Sequence, residues 1–172
     1  MTAGGPGRVP VGLVLRSVFW TILLPGLVAG YVPWRFYGLS AARPDLRSPV
    51  DALGLLCAGI GAMILLTCIW EFARQGRGTL SPVDPPRELV VRGLYRYVRN
   101  PMYVGVSLIV LGEAALLRSP GLLLYWAVFF AMVNVFVIGY EEPSLRRRFG
   151  ESYERYTRSV GRWAPRLRSG RP

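Results

Sequence analysis

The sequence predicts an all-α polytopic membrane protein with about four transmembrane helices and a C-terminal amphipathic cytoplasmic helix. Three observations support this prediction. The chain is 52% hydrophobic and only 18% charged, whereas an average soluble domain is about 25% charged. Its apolar residues gather into four stretches, each close to the ~20 residues that a helix needs to cross a bilayer. Its 21 basic residues are all arginine, and they cluster where the apolar stretches end.

The four predicted transmembrane helices cover about residues 11–34, 50–72, 101–117 and 121–140. The first contains Arg16 and Pro25, so we expect it to be tilted or kinked. Residues 118–120, Arg-Ser-Pro, make a tight connection between the last two. We interpret residues 1–172 as one membrane-embedded domain.

The amphipathic helix is predicted over about residues 143–160. Pro143 suits its first turn, and Gly150 weakens its middle. Its apolar residues recur every three or four positions, which places them on one face of a helix. They are Leu145, Phe149, Tyr153, Tyr156 and Val160.

Arginine placement predicts the topology. Residues 74–99 and the tail after Tyr140 are both rich in arginine, whereas the turn between the last two helices holds only Arg118. Positive segments stay in the cytoplasm, so we expect both termini there. The first loop then lies outside, and its three arginines run against the rule: Arg35, Arg43 and Arg47.

Several kinds of function are disfavoured. The net charge of +11 could indicate nucleic-acid binding, but these arginines flank apolar helices and accompany no nucleic-acid motif. There is no histidine, which removes common zinc sites and Ser-His-Asp triads. Cys57 and Cys68 lie about three turns apart in one predicted helix, too far to bridge each other. We therefore expect no metal site and two packing cysteines.

The first candidate motif, at the mouth of the third helix, runs from Gly93 to Gly105 and reads GLYRYVRNPMYVG. The guanidinium of Arg99 can bind a carboxylate with two hydrogen bonds, and Asn100 offers a donor and an acceptor. Pro101 suits a helix start. A plain alternative is an arginine that reaches for the membrane surface beside a belt of interfacial aromatic residues.

The second motif is Glu141-Glu142-Pro143, where the fourth helix leaves the membrane. Its plain alternative is a solvated helix end paired with Arg146. The predicted topology places this acidic pair on the same side of the hairpin as Arg99. A ligand with a carboxylate, an amine and ribose hydroxyls would suit an arginine and a glutamate in that arrangement.

Together these motifs resemble the isoprenylcysteine carboxyl methyltransferases and the related phospholipid N-methyltransferases. That family has a G-x-Y-x-x-x-R-H/N-P-x-Y-x-G motif, a helical hairpin and an E-E-x-x-L-x-x-x-F-G-x-x-Y-x-x-Y motif. Here the second continues through Phe149-Gly150 to Tyr153 and Tyr156. The resemblance covers roughly the C-terminal half of the chain.

The resemblance implies a membrane methyltransferase that binds S-adenosylmethionine in a cytoplasmic pocket and takes a lipophilic substrate from the membrane. Many relatives have histidine where this chain has Asn100, which cannot take up a proton. Since a carboxylate or thiolate needs no base, a carboxylate or thiol acceptor is slightly favoured over a lipid amine. The cofactor candidates implied by motif position are Tyr95, Arg99, Asn100, Pro101, Tyr103, Glu141 and Glu142. Arg99 and Glu141 are also candidates for positioning the reactants.

Other polar residues interrupt the apolar helices. Glu113 and Asn134 are candidates because ionisable or polar groups inside a membrane often serve function. We expect Glu113 to meet water or Arg118, and Glu71 to pair with Arg74 across one turn. We also expect Gly105 to face the fourth helix or the acceptor, where it would leave a lateral gap for substrate.

Two alternatives remain open at this point. NADPH-dependent sterol and steroid reductases share this membrane architecture, but NADPH needs more positive charge to bind its phosphates. A non-catalytic scaffold would use the arginine-rich tail to bind anionic lipid, and the acidic pair opposes that role. The sequence does not specify the methyl acceptor or the oligomeric state.

Overall fold

The computed structural model describes residues 23–75 and 91–166, and no strand occurs in these two ranges. The chain forms five helices there, joined by short turns. They are α1 (residues 23–36), α2 (Pro49–Gln75), α3 (Pro101–Leu117), α4 (Pro120–Phe149) and α5 (Glu151–Ser159). A 3-10 turn, Gly93–Arg96, leads towards α3.

Within residues 23–75 and 91–166, two helices are long and apolar enough to cross a membrane. Residues Pro49–Glu71 of α2 have a mean hydropathy of 2.4, and α4 reaches 2.2. Only 17% of the most apolar stretch of each helix is buried within the protein, whereas the core helix of a soluble protein would be mostly buried. Of the other two predicted spans, α3 is apolar but has only 17 residues. The first predicted span, residues 11–34, lies half outside the described residues, which begin at residue 23.

Helices α2 and α3 approach each other closely at two pairs of glycines. A Cβ atom on Gly61 would lie 2.5 Å from the carbonyl oxygen of Gly105, and one on Gly112 would lie 2.5 Å from that of Gly54. Small residues at such positions allow helix backbones to pack directly. The expectation that Gly105 faces the fourth helix or the acceptor is therefore wrong, because it faces α2.

The predicted boundary between the fourth span and the tail helix is also wrong. Helix α4 continues through Pro143 to Phe149, with a π-helical turn over Val137–Glu141 just before the proline. Proline has no backbone N–H, and a π turn is a common way for a helix to absorb that loss. The same arrangement occurs in α1, where a π turn over Leu27–Tyr31 precedes Pro33. The helix ends at Gly150, whose φ is +49°.

At the end of the hairpin opposite the two motifs, Arg118 pairs with α2 rather than with Glu113. Its Nη2 lies 2.7 Å from Oδ1 of Asp51, which is buried. Glu113 is also buried, and its Oε2 has no hydrogen-bond partner. The prediction that Glu113 meets Arg118 is therefore wrong. Nearby, Tyr125 of α4 donates a hydrogen bond to the carbonyl of Val28 in α1.

Candidate functional site

The candidate site is built around the carboxylate of Glu142, which two arginines share. Nη1 of Arg99 lies 3.0 Å from Oε1 of Glu142. Arg162 donates from Nε to the same oxygen at 2.6 Å and from Nη2 to Oε2 at 3.0 Å. The side chains of Arg99 and Glu142 are only 10% and 8% exposed. Charge-assisted bonds of this kind are stronger than neutral ones, so they fix the tail against the start of α3.

Backbone contacts hold the same segment of the tail. Val98 and Gly161 form a single parallel β-bridge, and the N–H of Arg99 donates to the carbonyl of Gly161 at 2.9 Å. The buried amide of Asn100 donates from Nδ2 to the carbonyl of Arg162 at 3.3 Å. Asn100 therefore uses its amide N–H to hold the tail.

The apolar stripe predicted in the tail does pack inward, from the end of α4 through α5 to Val160. Tyr153, Tyr156 and Val160 are buried in one cluster. The phenol of Tyr156 donates to the carbonyl of Tyr95 at 2.7 Å, and that of Tyr153 accepts from Nη1 of Arg99 at 3.4 Å. Burial raises the pKa of Tyr156 above its usual range, so the phenol remains a hydrogen-bond donor at neutral pH.

Glu141 differs from its neighbour because it has an unused carboxylate oxygen. Its Oε2 is buried without a hydrogen-bond partner, although Glu142 beside it carries three contacts to arginines. Nε of Arg99 is likewise buried and without a partner. Burying an acceptor and a donor without hydrogen bonds costs free energy. A ligand that bonds to both atoms would remove this cost, so we regard this place as a candidate binding site.

A third carboxylate reaches the site from α2. Glu71 lies directly against Gly93, where a Cβ atom would overlap its carboxylate, and Gly93 has a φ of +50°. Glycine is thus required there by both space and conformation. The side chain of Arg74, the predicted partner of Glu71, lies outside the described residues. Sequence reasoning missed this role for Glu71, although an acidic residue ending an apolar helix was a usable signal.

Aromatic side chains form the membrane side of the site. The ring of Trp163 lies 5.1 Å from that of Phe130 and 6.3 Å from that of Tyr103, centroid to centroid. The indole Nε1 of Trp163 donates to Oδ1 of Asn134 at 3.0 Å. Asn134 was predicted as an intramembrane polar candidate, and its partner is now identified as the tail. Pro101 is buried as the first residue of α3.

Of the seven predicted cofactor residues, most lie around one feature, the tail segment 160–163. Tyr95, Arg99, Asn100 and Glu142 bind α5 or that segment, and Tyr103 contacts Trp163. Sequence reasoning missed Arg162 and Trp163. The available signal was their position directly after the predicted helix, but nothing local indicated their partners.

Comparison with known proteins gives two matches. The family model "Phospholipid methyltransferase" matches residues 50–152 of the 172-residue chain. The chain is also 29% identical over 147 residues to the nickel-cobalt-cadmium resistance protein NccN of Alcaligenes xylosoxydans xylosoxydans. That alignment covers 86% of this chain and 61% of the relative, so the chain spans about three fifths of the relative's length. No solved structure matches the chain significantly.

Proposed function

Since the chain belongs to the phospholipid methyltransferase family of integral membrane methyltransferases, we propose that it transfers a methyl group from S-adenosylmethionine to a lipophilic membrane substrate. The observation that carries this proposal is the pair of buried, unused polar atoms, Oε2 of Glu141 and Nε of Arg99. They lie beside a tail that closes over the start of α3. The reductase alternative is not favoured, because the matched family is one of methyltransferases.

The residues fit the proposed cofactor in chemical type. Oε2 of Glu141 can accept a hydrogen bond from an amine or a ribose hydroxyl, and Nε of Arg99 can donate one to a carboxylate. The rings of Tyr95 and Tyr103 offer faces that stabilise a cation. Asn100, Pro101 and Glu142 belong to the same proposed site, where they hold the backbone and the tail that frame it.

S-adenosylmethionine, when bound, supplies a methyl group already activated on a sulfonium. The protein then needs mainly to align the reactants and exclude water. The docked tail suits both tasks, because Arg162 and Trp163 fix it on α4 and Asn100 fixes it at the start of α3. We keep a carboxylate, or a thiol that reacts as its thiolate, ahead of a lipid amine as acceptor, because an acceptor that is already anionic needs no base. An amine would lose its proton to Glu141, whose second oxygen is available.

Calorimetry of the purified full chain with S-adenosylhomocysteine tests this function. The wild type should bind, whereas Glu141→Gln and Arg99→Ala should each bind roughly tenfold or more weakly, since a charge-assisted hydrogen bond contributes ~1.5–3 kcal/mol. Glu151→Gln is the matched control, because that side chain is 83% exposed. No binding by the wild type, or binding of NADPH instead, would overturn the proposal.

A further inference from the structure

Four aromatic rings make a continuous line along the seam between α3 and α4. Trp126 stacks on Phe130 with ring centroids 5.7 Å apart and an interplanar angle of 16°. Phe130 contacts Trp163 at 5.1 Å, and Trp163 meets the edge of Tyr103 at 6.3 Å. We call these four residues the aromatic ladder. Three of its members belong to the hairpin, and the fourth, Trp163, comes from the tail.

The inner end of the aromatic ladder reaches the proposed cofactor site. Its member Tyr103 is one of the proposed cofactor residues, and it lies three positions after Asn100, which binds the carbonyl of Arg162. From there the ladder runs outward to Trp126, which precedes Glu141 by fifteen residues of α4, or about 22 Å at ~1.5 Å per residue. One end of the ladder is therefore beside the polar site and the other is deep in the apolar part of the helix.

Besides Oε2 of Glu113 and Oε2 of Glu141, two further buried polar atoms on these helices have no partner. Nε1 of Trp126 is buried without a hydrogen bond, and so is the hydroxyl of Ser107 in α3. Buried polar groups nearly always find partners, so these two are open to a ligand that carries an oxygen. A lipophilic molecule with a polar group would satisfy them in a way that a plain hydrocarbon chain would not.

Trp163 is the ladder member that comes from outside the hairpin, and contacts with α4 hold it in place. Its indole is held by Asn134, whose own Nδ2 donates to the carbonyl of Phe130 at 2.9 Å and so fixes which atom faces the indole. Arg162 beside it is fixed to Glu142. The indole therefore occupies the seam between Tyr103 and Phe130, directly after the tail residue that binds Glu142.

We propose that the aromatic ladder binds the lipophilic methyl acceptor and that Trp163 determines how large an acceptor the seam admits. This inference rests on the proposed function, and it replaces Gly105, which faces α2, as the place of lateral entry. Trp163 is a specificity-determining residue here: its bulk limits the seam, and its removal opens space beside Phe130 without touching Glu141 or Arg99.

Photolabelling of the full chain in phosphatidylcholine nanodiscs tests the seam, with stearic acid carrying a mid-chain diazirine as the probe. Adducts are mapped by mass spectrometry of tryptic peptides. Trp163→Ala should raise labelling of Phe130 and Asn134 severalfold, whereas Trp163→Phe, which keeps a ring, should stay near the wild type. Trp34→Ala is the matched control, because Trp34 is 54% exposed on α1.

The two proposals fail separately in this experiment. S-adenosylhomocysteine binding by the wild type is measured beside the labelling. If the cofactor analogue binds but labelling of Phe130 and Asn134 does not rise, the seam is not the acceptor site. If the wild type does not bind the analogue, the proposed function fails, while the labelling still reports on the seam.

A second variant decides the case in which Trp163→Ala detaches the whole tail. Asn134→Leu removes the anchor of the indole but leaves the bonds of Arg162 to Glu142 in place. It should also raise labelling at Phe130. Unchanged labelling in Asn134→Leu, or an equal rise in Trp34→Ala, would overturn the inference.

Discussion

Arg162 binds both oxygens of Glu142, from Nε to Oε1 at 2.6 Å and from Nη2 to Oε2 at 3.0 Å. The two residues are twenty positions apart, and a helix end, a glycine and all of α5 lie between them. Arg99 adds a third contact from the start of α3. Two adjacent glutamates thus have different surroundings: Glu142 is fully engaged with the protein, and Glu141 retains a free oxygen.

The first prediction separates these two glutamates. Glu142→Gln should loosen the tail, because it removes the charge that Arg99 and Arg162 share. The loss should be about 1.5–3 kcal/mol, so the open state of the tail should become roughly tenfold or more populated. Amide hydrogen exchange in Glu151–Ser159 measures this population.

Glu141→Gln is the control for that measurement. It changes the same functional group one residue away, but its free oxygen makes no hydrogen bond in the protein. Exchange in α5 should therefore match the wild type while cofactor-analogue binding falls. Equal loosening by both substitutions would contradict the distinct roles given to the two residues.

The second prediction concerns the tyrosines that dock α5. Tyr156→Phe removes the donor to the carbonyl of Tyr95 and should cost about 1 kcal/mol of docking free energy. Tyr153→Phe should cost less, because its hydrogen bond is longer at 3.4 Å. Exchange rates of the α5 amides give both values, and a larger effect at Tyr153 would contradict the assignment.

The third prediction is the pH dependence of the same docking. Burial raises the pKa of Tyr156, of Tyr153 and of Tyr95. A phenol whose folded pKa lies above its unfolded value of ~10 contributes stability that is fully present below pH ~10 and is lost as the pH rises through the folded pKa. Protection of α5 should therefore be constant around neutrality and fall only in alkaline solution. Tyr156→Phe should reduce that alkaline loss.

The fourth prediction concerns packing between α2 and α3. Gly61→Ala would place a Cβ 2.5 Å from the Gly105 carbonyl oxygen, whereas nothing lies within 4 Å of a Cβ on Gly59. Both changes add the same methyl group to the same helix. Gly61→Ala should cost about 1–3 kcal/mol in a detergent unfolding titration, while Gly59→Ala should be neutral or slightly stabilising. Similar effects at both positions would contradict the close approach.

The fifth prediction tests topology. Leu46, 74% exposed, lies in the turn before α2, at the end where Asp51 pairs with Arg118. Ser152 lies on exposed α5 surface at the opposite end of the helices. With both native cysteines replaced by alanine, Leu46→Cys should react with an impermeant maleimide in intact cells. Ser152→Cys should react only after permeabilisation. The reverse pattern would invert the proposed orientation.

Local patterns in the sequence predict much of this fold. The apolar stretches locate α2, α3 and most of α4, because hydropathy depends on each segment alone. The stripe of Tyr153, Tyr156 and Val160 predicts which face of the tail is buried, and the structure confirms it. The spacing of three or four residues between apolar positions is enough to predict the buried face of a helix.

Contacts between distant segments could not be predicted in this way. No pattern near Gly105 specifies Gly61 as its neighbour, and nothing around Arg162 identifies Glu142 as its partner. Pro143 misled for a different reason: a proline is equally compatible with a new helix start and with a π turn in a continuing helix. Which of the two forms depends on whether the turn before the proline can widen into a π turn. That depends on how the turn packs against other segments, which the local sequence does not give.

The attachment of the tail by Arg162 and Trp163 also orders events during synthesis. The ribosome adds these residues after all the apolar segments, so the tail can dock only after α4 has been synthesised. Polypeptide released before position 162 would contain α2, α3 and α4 but lack the contacts to Glu142 and Asn134. Docking of the tail is therefore among the last contacts that the growing chain can complete, and a stop codon just before position 162 would leave it unmade.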